Sequence, residues 1–159
     1  MTTSNGNVNP ESYFTDEARR EYEEFCFRIV EQLKVSGLSK TVQKQYYDFL
    51  TEYKRYVIAA TCINDAHNSL TPEIRKWFHL YNREQDPAKA RVYLDNFNKV
   101  KAKRDKLSAK LSEYKKVCID MEDRVIEYMD HIEKAIQERD ENRGIDDAPQ
   151  LPSKNTGRK

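Results

Sequence analysis

Residues 87–143 read PAKARVYLDNFNKVKAKRDKLSAKLSEYKKVCIDMEDRVIEYMDHIEKAIQERDENR, and after Pro87 they contain neither Gly nor Pro. Within them Ala90, Tyr93, Phe97, Val100, Arg104, Leu107, Leu111, Tyr114, Cys118, Met121, Val125, Tyr128, Ile132 and Ala135 follow one another at steps of three and four in strict alternation. A repeat of 3.5 residues held over about six heptads marks a long helix packed lengthwise against others. At 1.5 Å per residue such a helix is roughly 85 Å long, more than a compact domain can hold.

The same frame resolves the basic run KVKAKRDKL, residues 99–107. Val100 and Leu107 are seam positions, and Lys99, Lys101, Lys103 and Lys106 are their solvated flanks. Lys110 extends this basic face. Aromatic side chains standing among the lysines would favour nucleic acid, but Phe97 and Tyr114 fall on the seam instead. Arg104 is the one charged seam residue. It either lifts its head to water along an apolar stem or pairs with an acid on the first helix.

Outward from this helix, Val42, Tyr46, Phe49, Tyr53, Tyr56, Ala60, Ile63, His67 and Leu70 repeat the pattern. A broader stripe of Phe14, Ala18, Tyr22, Phe25, Ile29 and Leu33 precedes them. Punctuation separates the segments. Gly37 and Gly144 stand where helices end in a left-handed residue, and Thr71-Pro72 and Asp86-Pro87 pair a capping side chain with Pro at the first helical position. The sequence therefore predicts helices at about 11–35, 39–70, 72–84 and 87–143. The fold class is all-α: an antiparallel three- to four-helix bundle with one very long heptad-repeat helix extending as a coiled-coil arm. Residues 1–10 read as a disordered leader, 11–118 as the bundle, 119–143 as the protruding arm and 144–159 as a disordered tail.

Composition agrees. Of 159 residues 35% are charged and 38% hydrophobic, with four Gly, a balance that suits narrow helical seams more than an α/β core. The 28 basic and 27 acidic residues nearly cancel, so an anionic partner would have to be met by a local patch. Charge is uneven along the last helix: residues 89–116 carry ten Lys/Arg against three acids, residues 117–143 four against nine. Helix 1, over 11–31, is net −4. Short connections make neighbours antiparallel, which sets helix 1 parallel to the basic half of helix 4 with its acids beside the lysines.

Helix 2, at about 32 residues, covers helix 4 only to about residue 118. Cys118, Met121, Val125, Tyr128, Met129, Ile132 and Ile136 are then left as an apolar stripe with no cover, and they are the expected partner-binding surface, for a helix of another protein or a second copy. In the short helix 3, Ile74, Trp77, Phe78, Leu80 and Tyr81 read as a lid on the bundle. Trp77, Phe78 and Tyr81 are a secondary docking patch, since Trp and Tyr dominate interface hot spots.

Chemistry is absent from the pattern. His67, His79 and His131 match no metal spacing, the three cysteines form no CxxC pair, and there is no P-loop, GxGxxG, HExxH or GxSxG. No catalytic residue, metal, cofactor or small-molecule substrate is expected, and the chain does not read as an enzyme. The odd cysteine number argues against a disulfide framework, and the polar start is not a signal peptide. The location expected is intracellular, cytoplasmic more than nuclear. The function read from the sequence is that of a non-catalytic assembly subunit or adaptor acting through coiled-coil pairing. The alternative is a peripheral membrane- or nucleic-acid-binding module using the basic face of residues 89–116.

Overall fold

The computed structural model describes residues 9–147, with side-chain surroundings for 9–142, and every regular element among them is helical. A short 3-10 helix at Pro10–Tyr13 leads into α1 (Asp16–Ser36), α2 (Lys40–Ser69), α3 (Thr71–Arg83) and α4 (Pro87–Asp147). The caps follow the sequence. Thr15 Oγ1 accepts from the Ala18 N–H at 3.0 Å, Ser39 Oγ accepts from Val42 at 3.2 Å, and Gly37 ends α1 at φ 75°.

Between α2 and α3 the break is slight. Leu70 keeps helical backbone angles, and Ile74 N–H reaches the Leu70 carbonyl at 3.0 Å. Pro72 has no N–H to continue the ladder and interrupts it there. The α3 helix begins at Thr71, so Thr71 is not its cap, and no side-chain cap is made. At the far end α4 does not stop before Gly144 but runs on to Asp147, giving 61 residues and about 90 Å. Of the expected leader (1–10) and tail (144–159), residues 1–8 and 148–159 lie outside the described residues, and 144–147 belong to α4. Asn9 and Pro10 do not belong to a disordered leader: Asn9 caps the 3-10 helix and Pro10 is buried.

Helix α4 is the spine. Against its first turns lies α3, with Trp77 beside Tyr93 and Phe78 beside Phe97 at ring-centroid distances of 6.0 and 5.7 Å. Its middle meets the second half of α2, where Ala59, Ile63 and Tyr114 are buried and flanked by Tyr13, Phe14, Tyr56, Leu107 and Leu111. Beyond that, three helices share one core of Ile29 and Leu33 from α1, Tyr46 and Leu50 from α2, and Tyr128 and Ile132 from α4. Burial of six such side chains is worth on the order of 10 kcal/mol before ordering costs.

That core overturns the expected arm. Tyr128 and Ile132 are buried, Val125, Met129 and Ile136 pack against the same cluster, and Cys118 and Met121 are half-buried. No domain boundary falls at residue 118. The physical reason is an offset. As a lid, α3 would leave α2 to start at the beginning of α4. Instead α3 lies along α4 itself, and α2 is displaced toward the end of α4 by the length of α3. The two together reach far enough to cover 118–136.

The same offset moves α1. Just before it, Tyr13 packs edge-on to Tyr114 at 5.9 Å, and just after it Gly37 reaches the level of Arg139. The acidic helix therefore flanks the acidic half of α4, not the basic half, and none of the ion pairs seen joins α1 to α4. Burial of Ile29 and Leu33 outweighs exposed charge pairs worth ~0–1 kcal/mol each.

Candidate interaction surface

Where α1 stops, the cross-section falls from three helices to two. A pair of helices cannot enclose its own seam, and the consequence is visible around α3. Ile74 is buried and Trp77 half-buried, but Phe78 is 52% exposed, with Tyr81 and Val92 open beside it. Lys76 Nζ lies 4.7 Å from the Trp77 ring centroid, and Trp77 Nε1 donates to Glu73 Oε2 at 3.4 Å. The residues predicted as a docking patch thus stand together on one short helix, partly packed on α4 and partly in solvent. The lid reading does not hold, because α3 lies alongside α4 and closes no end.

On the same stretch of α4 the predicted basic face is in place. Lys99, Lys101, Lys103 and Lys106 are exposed, and Lys110 is half-buried. Lys101 pairs with Asp105 and Lys110 with Glu113, each at 3.1 Å, both along the helix. Lys103, Lys106, Leu107 and Lys110 with Tyr13 line an open groove that begins where the N-terminal segment ends. Residues 71–116 hold thirteen Lys/Arg against six acids. Residues 9–55 and 117–142, which make up the three-helix end, hold eleven against eighteen. The molecule is a rod with a basic end and an acidic end.

Arg104 is half-exposed in the seam and takes part in none of the ion pairs seen. No acid of the first helix meets it; Glu11, at that end, is held by Arg19 and Arg55 instead. The lifted-head conformation is what remains.

Among the described residues the three histidines stand apart from one another. His67 Nδ1 lies 3.2 Å from Asn68 Oδ1, His79 is exposed on α3, and His131 Nδ1 is in hydrogen-bond contact with the Tyr46 hydroxyl at 2.6 Å. Among the described residues no three His, Cys, Asp or Glu side chains are grouped to hold a metal ion. All three cysteines are free and half-buried; burial, and then nearby Glu122, raise the Cys118 thiol above its ordinary pKa. An open cleft between α1 and α2, lined by Glu17, Glu21, Glu24 and Asp65 with Arg20, has no buried polar group aimed into it. No helix among the described residues is long and apolar enough to cross a membrane.

Two features escaped the sequence reading. One is a clamp on Arg55, which takes Glu52 at 2.8 and 2.9 Å, Asn9 Oδ1 at 2.8 Å and Glu11 at 3.5 Å, and holds the N-terminal segment across α2. No spacing rule joins residues 9 and 55. The other is Ile119 and Ile126, 65% and 66% exposed, seven residues apart and off the seam. That spacing was available in the sequence.

The chain matches no known protein family, no curated protein and no solved structure. The class supported by the fold is an all-helical protein with a long spine helix.

Proposed function

We propose that this protein is a non-catalytic assembly subunit or adaptor that works by helix-to-helix docking, with the two-helix stretch of α3 and the first half of α4 as its partner-binding surface. The observation that carries this is the exposed Phe78, Tyr81 and Val92 beside half-buried Trp77, at the place where no third helix covers the seam. Large aromatic side chains, partly packed and partly open, are preformed anchors for a partner that completes the third position. The basic flank favours a partner with an acidic face. The stripe from Cys118 to Ile136 is used inside the chain.

A direct test compares crosslinked partners of the wild-type chain with those of a Phe78→Ala/Tyr81→Ala variant in cells that make the protein. Loss of a defined partner with the fold intact supports the reading, whereas an unchanged partner set removes it.

A second reading is a peripheral module that binds anionic lipid or nucleic acid through residues 89–116. It is favoured by the displacement of α1, which leaves the lysine-rich half of α4 without the acidic neighbour helix. Binding to anionic vesicles or DNA that falls steeply with salt supports it, and no binding at low salt ends it.

A further inference from the structure

Diametrically opposite its contact with α2, α4 carries a second seam. Ala102, Asp105, Ala109, Ser112, Lys116, Ile119, Asp123 and Ile126 alternate at steps of three and four, and every one of them is exposed. Small side chains fill the first half of this stripe. Ile119 and Ile126, about two-thirds exposed, fill the second. Along its border run Lys99, Lys106, Glu113, Asp120 and Glu127, each seven residues from the next and all exposed. Charge changes sign along this border from basic to acidic. None of Lys99, Lys106, Asp120 and Glu127 enters the ion pairs seen within the chain.

A stripe that is small and basic in one half and bulky and acidic in the other complements itself only when reversed. We infer that the outer face of α4 binds a second copy of this chain, antiparallel, about a two-fold axis near residue 114. In that register Ile126 falls on Ala102 of the copy and Ile119 on Ala109. Lys99 comes opposite Glu127, and Lys106 opposite Asp120, each pair occurring twice by symmetry. The parallel arrangement would bring identical levels together, basic level beside basic level and isoleucine on isoleucine, leaving the alanines unfilled. Charge and volume select the same orientation. Two meetings are adverse, Asp105 with the copy's Asp123 and Glu113 with its own copy at the axis; within the chain Asp105 holds Lys101 and Glu113 holds Lys110, each at 3.1 Å.

This deepens the reading of the chain as a helix-docking protein by naming one partner, on a face separate from Phe78 and Tyr81. Only four large apolar side chains are buried in the pair, so the affinity is modest, on the order of micromolar or weaker. The rod's opposite charged ends are also brought side by side, which makes the association sensitive to salt.

Sedimentation equilibrium of the full chain over about 1–500 µM, at low and high salt, brackets the expected affinity and tests the pairing. A concentration-dependent dimer weakened by salt is expected, and a monomer throughout at low salt overturns the inference. Ile119→Lys/Ile126→Lys changes two exposed positions and leaves the helical circular dichroism intact. It is expected to abolish the dimer, and an unaffected dimer overturns the assignment of this face. Lys99→Glu/Lys106→Glu and Asp120→Lys/Glu127→Lys are each expected to weaken self-association by on the order of tenfold or more, and to form a heterodimer when mixed. Failure of the mixture to associate overturns the antiparallel register. A monomeric wild type leaves the partner-capture test at Phe78 and Tyr81 unaffected, so failure of one reading is distinguishable from failure of the other.

Discussion

Tyr46 and Tyr128 lie ring on ring, their centroids 4.1 Å apart and their planes within 19° of parallel. The stack pins the second turn of α2 to the last third of α4. Each phenol is buried yet served: Gln45 Nε2 donates to the Tyr128 hydroxyl at 3.1 Å, and the Tyr46 hydroxyl meets His131 Nδ1 at 2.6 Å. Phe49 closes the stack edge-on at 5.3 Å from Tyr128. Apolar contact and satisfied polar ends together fix one register between two long helices that could otherwise slide.

Because this end of α4 is core, its residues are expected to behave as core. Ile132→Ala removes a side chain that is 2% exposed and should cost about 2–5 kcal/mol. Ile126→Ala, six residues earlier but on the outer face, should stay within about 0.5 kcal/mol. Urea denaturation of the two variants separates them. A chain ending at residue 117 should lose cooperative unfolding altogether, and one ending at 142 should keep it. A 117-residue chain that melts like the full protein would contradict the shared core.

The heptads of α2 and α4 and the breaks at Gly37, Pro72 and Pro87 were legible in the sequence, because helix periodicity and punctuation are local properties. What was not legible was the offset between helices. Nothing in the α3 sequence says whether Trp77 and Phe78 cap an end or pair with Tyr93 and Phe97 along α4, and that choice moves α2 by the length of α3. From it follow the burial of Tyr128 and Ile132 and the placing of α1 beside like charge. Net charge had pointed α1 the other way, since exposed pairs are weak beside a buried Ile29. That Trp77, Phe78 and Tyr81 cluster on one short helix was legible from residue type and spacing. The exposure of Phe78 and Tyr81 follows from the two-helix cross-section, which only the register reveals.

Arg55 is expected to hold the N-terminal segment in place. Its guanidinium joins Asn9 and Glu11 to Glu52 from a half-buried position, so Arg55→Leu keeps much of the stem packing and removes the polar links. A loss of about 1–2 kcal/mol is expected, together with faster amide exchange confined to residues 10–15. Exchange that rises evenly through α1 and α2 would instead mean that the clamp holds the fold as a whole.

Gly37 takes a positive φ of 75°, and a Cβ built there would stand 2.5 Å from Arg139 Cδ. The arginine end is flexible and can move aside, but the left-handed backbone cannot be relieved. Gly37→Ala should therefore cost about 1–2 kcal/mol, and Gly37→Asn less. Combining Gly37→Ala with Arg139→Ala should recover little of the loss. Full recovery in the double variant would assign the cost to the side-chain clash.

Alkali is expected to unfold the protein through its buried phenols. Burial is the first cause that lifts Tyr114 from 10.0 to about 12, with Tyr13 and Tyr56 adding to it; Tyr22, Tyr46, Tyr47 and Tyr53 are raised as well, each by burial first. The folded chain favours the protonated phenol, so between pH 10 and 12 the unfolded chain binds fewer protons than the folded one. Stability from this source is complete below pH 10 and is lost as pH rises through about 12. Tyrosinate absorbance followed beside helical circular dichroism reads the ionisation of these phenols against the loss of helix. They should ionise only as the helix melts. A single ionisation step near pH 10 that leaves the helical signal unchanged would mean these tyrosines are not shielded by the packing described.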